Sequence, residues 1–243
     1  MKVAAVIEYD GSKFSGFQRQ KETSNTIVGK IEKALKELGI NSKIVGSGRT
    51  DKGVHATFQV VSFDIPQYWQ AKAKSELKYR LNQKLNYIRF KHIKKASSSF
   101  HAQYSAKVRV YRYLIKRSQP TVFEKDYVSY YQIKDIKKLK DAIELFRGKH
   151  NFKYFKKEGS VTSSDIREIY KTKVTTLNRD YIAIHFFANG YLRSQIRLMV
   201  AAALEVECGN IKLSDIKEQL NLTKKSSTKL ATPNGLYLAR VFY

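Results

Sequence analysis

The sequence predicts an α+β protein made of two similar halves. Its 243 residues suit one large domain or two of about half that size each. The apolar fraction of 42% is sufficient for a folded core. Segments with strand periodicity follow one another directly, and helices are inserted between them, which is typical of α+β folds.

The first half alternates strands and helices. Residues 2–9 have the pattern of a buried strand, and Gly11 and Gly16 then predict a loop. Thr26 is expected to cap a helix, because the apolar residues that follow it fall on one helical face. Those residues are Ile27, Ile31, Leu35 and Leu38. The other predicted elements are strands at 43–46, 56–65 and 87–94 and a helix over 70–82.

The second half repeats this alternation after a boundary near residues 100–106, although no repeat is visible in the sequence itself. Strand 107–115 has a period of two, which places Arg109, Tyr111 and Tyr113 on one face. Apolar residues at helical spacing then predict a helix through Ile136, Leu139, Ile143 and Phe146. The remaining predicted elements are strands at 166–177 and 180–188, a helix over 191–206 and a strand over 236–243.

The chain carries a large positive charge. Lys and Arg total 46 against 21 Asp and Glu, which gives a formal net charge of +25. Such an excess repels itself in a compact state unless a polyanion neutralises it. Nucleic acid, which releases counterions when basic proteins bind it, is the natural partner. A lysine-rich bias of the whole proteome is the alternative, and it implies no partner.

Cysteine usage and hydropathy predict a soluble intracellular protein. Cys208 is the single cysteine, which excludes an internal disulfide and a cysteine zinc site. It follows an apolar helical pattern and is expected to be packed rather than reactive. Glu8 and Asp10 interrupt the first apolar run, so that run is too short for a signal peptide, and nothing approaches membrane-spanning length.

Residues 46–56 carry the most distinctive chemistry. A single carboxylate, Asp51, stands between Arg49 and Lys52 in a glycine-rich segment. The Gly-x-Gly in this segment is not a dinucleotide-binding loop, because the third glycine comes late and no long helix follows; it also lacks the GK[ST] of a P-loop. The residues alone leave two interpretations open: an acid that acts on nucleic acid, or a tight turn in which Asp51 caps backbone N–H groups.

The segment from Gly48 to Ala56 resembles the GRTD-x-GVHA signature of the TruA family of tRNA pseudouridine synthases, and the resemblance extends along nearly the whole chain. Other similar segments are Tyr9-Asp10-Gly11 with Gly16-Phe17-Gln18, Phe100-His101-Ala102 with Tyr104-Ser105-Ala106, Arg109 with Tyr111-Arg112-Tyr113, Gly148 to Phe152, Asn189 to Leu192 with Arg197, and Ala231 to Leu238. Four positions depart from the family pattern and concern RNA contacts rather than the catalytic acid: Phe17, Gln103, Asn151 and Gln195.

The resemblance implies an isomerase that breaks the N1–C1′ bond of uridine, turns the base and rejoins it through C5. The family acts on the anticodon stem-loop of tRNA, at tRNA positions 38, 39 and 40, with no cofactor and no metal. The implied fold has two ferredoxin-like subdomains, 1–104 with the catalytic loop and 105–243 completing the active-site cleft, which share a mostly antiparallel central sheet. A cytoplasmic homodimer in which each tRNA touches both subunits is also implied.

The resemblance assigns roles to four residues. Asp51 would be the nucleophile at C1′, acting through a covalent adduct or a glycal. Arg197 would pair with Asp51, and Arg49 would help to hold the flipped nucleotide open. Tyr111 would stack on the target uracil. The alternatives are a surface arginine at position 197 and a half-buried strand tyrosine at position 111.

Two functions of other classes fit parts of the sequence. The chain would be a non-catalytic RNA-binding protein if it retained only the architecture. It would be a metal-dependent nuclease if Asp51 worked with Asp10 or Asp64, although no paired-carboxylate motif lies near Asp51.

Overall fold

The computed structural model describes residues 1–159 and 162–243. The chain forms two compact units, the first of residues Met1–Lys107 and Tyr237–Tyr243 and the second of Val108–Leu236. No helix in the described part of the chain is long and apolar enough to cross a membrane.

The first unit has the strand–helix–strand–strand–helix–strand order of ferredoxin-like folds. Its elements are β1 (Lys2–Tyr9), α1 (Ile27–Glu37), β2 (Val45–Gly46), β3 (His55–Asp64), α2 (Gln67–Gln70), α3 (Lys74–Lys84) and β4 (Ile88–Lys95). Strand β1 lies between β4 and β3 and is antiparallel to both, and β2 pairs with β3 in the antiparallel sense. The last strand of the chain, β10 (Leu236–Phe242), runs parallel to β3.

Local sequence accounts for these elements. The residues of β1 alternate strictly between half-buried and buried, as a strand with one covered face requires. The Thr26 hydroxyl accepts a hydrogen bond from the Gly29 N–H at 3.1 Å, which confirms the predicted cap of α1. The structure has two helices, α2 and α3, where the sequence predicts one over 70–82. The buried Trp69 anchors the short α2, and the Lys74 amine donates to the carbonyls of Trp69, Gln70 and Lys72 where α2 ends.

The second unit is a four-stranded antiparallel sheet with helices. Its elements are β5 (Val108–Lys116), β6 (Ser129–Tyr130), α4 (Ile136–Glu144), β7 (Gly148–Asn151), β8 (Ile166–Thr176), β9 (Tyr181–Ala188), α5 (Gln195–Glu207) and α6 (Leu213–Leu220). The strand order is β5-β9-β8-β7, and β6 adds to β5 in the parallel sense. The predicted α+β class with mostly antiparallel pairing is therefore confirmed.

The prediction that Cys208 is packed is wrong. The helix α5 ends at Glu207, and Cys208 follows it as an exposed residue. Gly209 then turns the chain with φ of 79°. The apolar pattern that suggested burial belongs to α5 itself, in which nearly every residue is buried.

Candidate active site

The loop of residues 46–56 joins β2 to β3 and is tied to β3 by a buried hydrogen-bond network. The Ser47 N–H donates to the Val60 carbonyl at 2.8 Å, and the Ser47 hydroxyl donates to the Gln59 side-chain oxygen at 2.5 Å. The Gln59 amide in turn donates to the Gly48 carbonyl at 2.8 Å. Because Ser47 and Gln59 are fully buried, water does not compete for these bonds, and they fix the start of the loop.

The residues on either side of Asp51 are also held. The Thr50 hydroxyl is 2.8 Å from the Tyr9 hydroxyl, and the Thr50 carbonyl accepts from the Phe17 N–H at 3.0 Å. The Val54 N–H donates to the Asp51 carbonyl at 3.1 Å and closes a turn. Asp51 itself is half-buried, and its main chain is anchored by this bond and by the bonds of Thr50.

The segment that follows β1 packs against this turn through Gly11, which contacts Gly53 and Val54, and we call this contact the clasp. The Gly53 N–H donates to the Gly11 carbonyl at 3.2 Å, with Gly53 in the left-handed region at φ of 80°. The approach is so close that a Cβ on Gly11 would lie 1.9 Å from the Val54 carbonyl oxygen. The Phe17 ring, 2% exposed, fills the space beside Gly46. Several of the glycines in and around the loop therefore serve protein packing.

His55 belongs to this structural network. Its Nδ1 atom lies 3.1 Å from the Gly11 nitrogen and 3.3 Å from a carboxylate oxygen of Asp10. The ring stacks on Tyr237 at a centroid distance of 4.8 Å and is 2% exposed. The neighbouring carboxylate of Asp10 accepts from the Ser12 N–H and hydroxyl at 3.0 and 2.7 Å. His55 thus holds Gly11 against the loop.

Cations flank the candidate acid. Arg49 and Lys52 are both exposed and lie in the same loop as Asp51. The structure thus places two of the four predicted site residues, Arg49 and Asp51, on one loop of the first unit, and the other two, Tyr111 and Arg197, on elements of the second.

Tyr111 lies in the middle of β5, opposite Phe186 of β9. Its ring meets the Tyr191 ring edge to face at 5.2 Å, and only 7% of Tyr111 is exposed. Burial, and secondly the neighbouring Tyr111, raise the pKa of Tyr191 well above its usual value, so Tyr191 stays protonated. The loop that carries Tyr191 is pinned to β5 by the Arg109 guanidinium, which donates to the Asn189 carbonyl at 2.6 Å.

The sequence alone assigns Tyr191 no role, although it lies in the segment from Asn189 to Leu192 that resembles the family. The signal available was an aromatic residue directly after a strand and before a helix. Only the pairing of β5 with β9 brings its ring to Tyr111.

Arg197 lies in the first turn of α5 and is half-buried. Its Nε atom donates to the Ala231 carbonyl at 2.7 Å, and its own carbonyl accepts from the Ala231 N–H at 3.1 Å. The start of α5 is fixed by Gln195, whose side-chain oxygen accepts from the Leu192 N–H at 2.7 Å. Gln195, which departs from the family pattern, is therefore a buried residue that ties the segment before α5 to the helix.

Tyr113, on the same face of β5 as Tyr111, is structural. It is fully buried, and its hydroxyl donates to the Thr232 carbonyl at 2.9 Å and lies 2.8 Å from the Ser129 hydroxyl. Burial is the main cause that raises its pKa.

The nuclease alternative requires further acidic side chains beside Asp51. Among the described residues, no group of three or more His, Cys, Asp or Glu side chains is placed to hold a metal ion. Asp64 ends the 10-residue strand β3, whose start adjoins the loop of Asp51. A strand of that length spans about 30 Å, so Asp51 and Asp64 do not share an ion. One oxygen of the Asp10 carboxylate, Oδ1, accepts from the Ser12 N–H and hydroxyl.

The chain is thus a strongly basic α+β protein, and the loop between β2 and β3 carries its candidate catalytic acid, Asp51. A family model described as tRNA pseudouridine synthase matches residues 5–105 and 142–243. The tRNA pseudouridine synthase A of Helicobacter hepaticus is 41% identical over 243 residues, covering 98% of each chain. That of Wolinella succinogenes is 39% identical and covers 98% of this chain and 93% of its own. The chain therefore belongs to the tRNA pseudouridine synthase family, which confirms the predicted enzyme class, an isomerase.

Solved structures show a weaker similarity. An H/ACA RNP bound to a substrate RNA containing 2′-deoxyuridine matches with a TM-score of 0.38 and 13% identity. The match covers 84% of this chain but 44% of that longer one.

Proposed function

We propose that this protein converts uridine to pseudouridine in the anticodon arm of tRNA, at tRNA positions 38, 39 and 40, with Asp51 as the nucleophile. In this reaction the N1–C1′ bond breaks, the base turns, and a C5–C1′ bond forms. The proton leaves C5 and N1 gains one, so the product is an isomer of the substrate. The observation that carries the proposal is the Asp51 turn, whose main chain is held on both sides by hydrogen bonds within a segment that matches the family signature.

The rigidity of the loop supports a role for Asp51 at C1′. A nucleophile that is held in place loses little entropy when it reaches the reacting carbon, and a misplacement of 1 Å can cost about 100-fold in rate. The carboxylate must be ionised to attack or to stabilise positive charge at C1′. The side chain of Arg49, in the same loop, can occupy the space that a flipped nucleotide vacates.

Tyr111 and Arg197 complete the proposed set. Stacking of the extruded uracil on an aromatic ring contributes about 1–3 kcal/mol, which offsets part of the cost of flipping. Because only 7% of Tyr111 is exposed, stacking requires groups that cover its ring to move when the base arrives. Arg197 is proposed to pair with Asp51, the role that the resemblance implies.

The charge of +25 supports tRNA as the partner. A homodimer in the cytoplasm is part of the same proposal, since one tRNA that touches two basic subunits would neutralise more of this charge. The proposal involves neither cofactor nor metal.

The test is Asp51→Asn, which keeps the shape of the side chain and removes its charge. Tritium release from tRNA labelled at uridine C5 should fall below detection, while tRNA binding should remain. Asp64→Asn is the matched control, because Asp64 is an exposed acid at the far end of β3. Turnover by Asp51→Asn would overturn the nucleophile assignment. Wild-type protein that binds tRNA but releases no tritium would instead be an RNA-binding protein.

A further inference from the structure

A concave surface on the first unit lies outside the residues given a catalytic role. It is a cavity of about 380 Å³ between α1, the end of α3 and the segment after β1. Its floor is apolar and consists of the buried side chains of Phe14, Ala34 and Leu85. Lys13, Lys30, Lys33, Lys84 and Tyr87 form its wall, and we call it the lysine pocket.

The lysine pocket is strongly cationic. Four lysines face a single acid, Glu37, which leaves a net charge of +3. Glu37 is bound by Lys84 at 2.9 Å, and this bond is the main cause that lowers the pKa of Glu37. Lys30 and Lys33 are one helical turn apart and exposed, and among the described residues neither ammonium group makes a hydrogen bond or an ion pair within 4 Å, although the charge of Lys33 contributes to the lowered pKa of Glu37. Two neighbouring ammonium groups are therefore available to an anion.

Tyr87 adds an aromatic platform to the wall. Its side chain is 60% exposed, and its backbone is left-handed at φ of 66°, a conformation that is strained for a bulky residue. The Tyr87 carbonyl accepts from the Asp10 N–H at 2.9 Å, which holds this conformation. The Lys13 amine lies 5.9 Å from the ring centroid. An exposed ring beside cations is typical of surfaces on which nucleic-acid bases stack.

We infer that the lysine pocket binds a nucleotide of the substrate RNA other than the target uridine, with a phosphodiester on Lys30 and Lys33 and a base on Tyr87. This inference rests on the proposed function. The volume fits the range of ligand pockets, about 300–1,000 Å³, and exceeds what a phosphate alone requires.

The exposure of the wall favours a polymer over a free nucleotide. Small-molecule sites bury about 70–90% of their ligand. Here the lysines and Tyr87 lie open to solvent to a large extent, so a lone nucleotide would remain largely in water. A segment of RNA that is also held elsewhere gains affinity from the linkage and does not need such enclosure.

The lysine pocket is also connected to the Asp51 loop through the chain. Lys13 follows Gly11, which bonds to Gly53 and His55 of that loop, and Asp10 bonds to Tyr87. RNA held in the lysine pocket would thus rest on the same segment that positions Asp51.

The test compares three variants in tRNA binding over a range of salt concentrations and in kcat. Lys30→Ala/Lys33→Ala removes the two ammonium groups, and Tyr87→Gly removes the ring while suiting the left-handed backbone. Lys36→Ala is the control, since Lys36 is an exposed lysine of α1 that does not line the pocket. The double variant should reduce the slope of log K against log salt by about 0.7–0.9 for each phosphate that the protein no longer neutralises. Tyr87→Gly should weaken binding about five- to 150-fold, the range for one stacked base.

Affinity and salt slope carry the test, and kcat at saturating tRNA reports separately whether a pocket variant also disturbs the Asp51 loop, since Asp10 bonds to Tyr87. The inference is overturned if the double variant matches Lys36→Ala in affinity and salt slope, or if Tyr87→Gly binds as tightly as the wild type. It is also overturned if uridine 5′-monophosphate competes with tRNA and both variants abolish that competition, since the site would then take a free nucleotide. A pocket-dependent salt slope in a protein that makes no pseudouridine would support the pocket and overturn only the proposed function.

Discussion

The substitution Gly11→Ala tests whether the clasp around residues 51–54 sets the activity. The added Cβ would lie 1.9 Å from the Val54 carbonyl oxygen, where an ordinary contact is at least 3.4 Å, so the two segments must separate by about 1.5 Å. Gly11 is not in the left-handed region, and the cost is therefore one of space. Overpacking of this kind costs about 1–3 kcal/mol. The separation also pulls on the bonds from Gly11 to His55 and Gly53.

Because this displacement includes the turn of Asp51, kcat for tritium release should fall by about 100-fold or more. Single-turnover kinetics on saturating tRNA measure the chemical step, and thermal unfolding measures the loss of stability. Gly209→Ala is the control: it imposes a left-handed alanine that costs about 1–2 kcal/mol, in open space after α5. The control should lose stability and keep kcat. Wild-type turnover by Gly11→Ala would refute the role of the clasp.

Two further substitutions test other sites. Tyr111→Phe should keep tRNA affinity, because the ring remains; complete loss of turnover would show that the hydroxyl has a chemical role, and weakened binding would contradict simple stacking. Glu124 has its pKa held below the usual range, chiefly by its bond with Lys116. A carboxyl group whose pKa is lower in the folded protein than in the unfolded one stabilises the fold at pH values above its unfolded pKa of about 4.3. This stabilisation is lost as the pH falls. Glu124→Gln should therefore lower Tm at pH 7, and this difference in Tm from the wild type should become smaller below about pH 4. An equal difference in Tm at pH 7 and below pH 4 would contradict this reasoning.

Strongly periodic segments were predicted well from the sequence. Strand β1, the Thr26 cap of α1, and strands β8 and β9 all lie within two residues of their predicted bounds. Their burial patterns depend on near neighbours in sequence, which is why periodicity alone detects them.

Short elements were missed because they have little periodicity of their own. Strands β6 and β7 contain 2 and 4 residues and exist only because β5 and β8 pair with them. The short helix α2 depends on the burial of Trp69, and no pattern in the neighbouring sequence predicts that burial.

The sequence by itself determined the charge, the family signature and the choice of Asp51 as the candidate acid, since a contiguous motif carries its information locally. Only the tertiary structure decided what holds that acid: the network of Ser47 and Gln59 within the sheet and the clasp by Gly11. It also decided that Tyr191 meets Tyr111. These contacts join residues that are 11 to 80 positions apart. Strand pairing and close packing create them, and both depend on the folded chain rather than on neighbours in sequence.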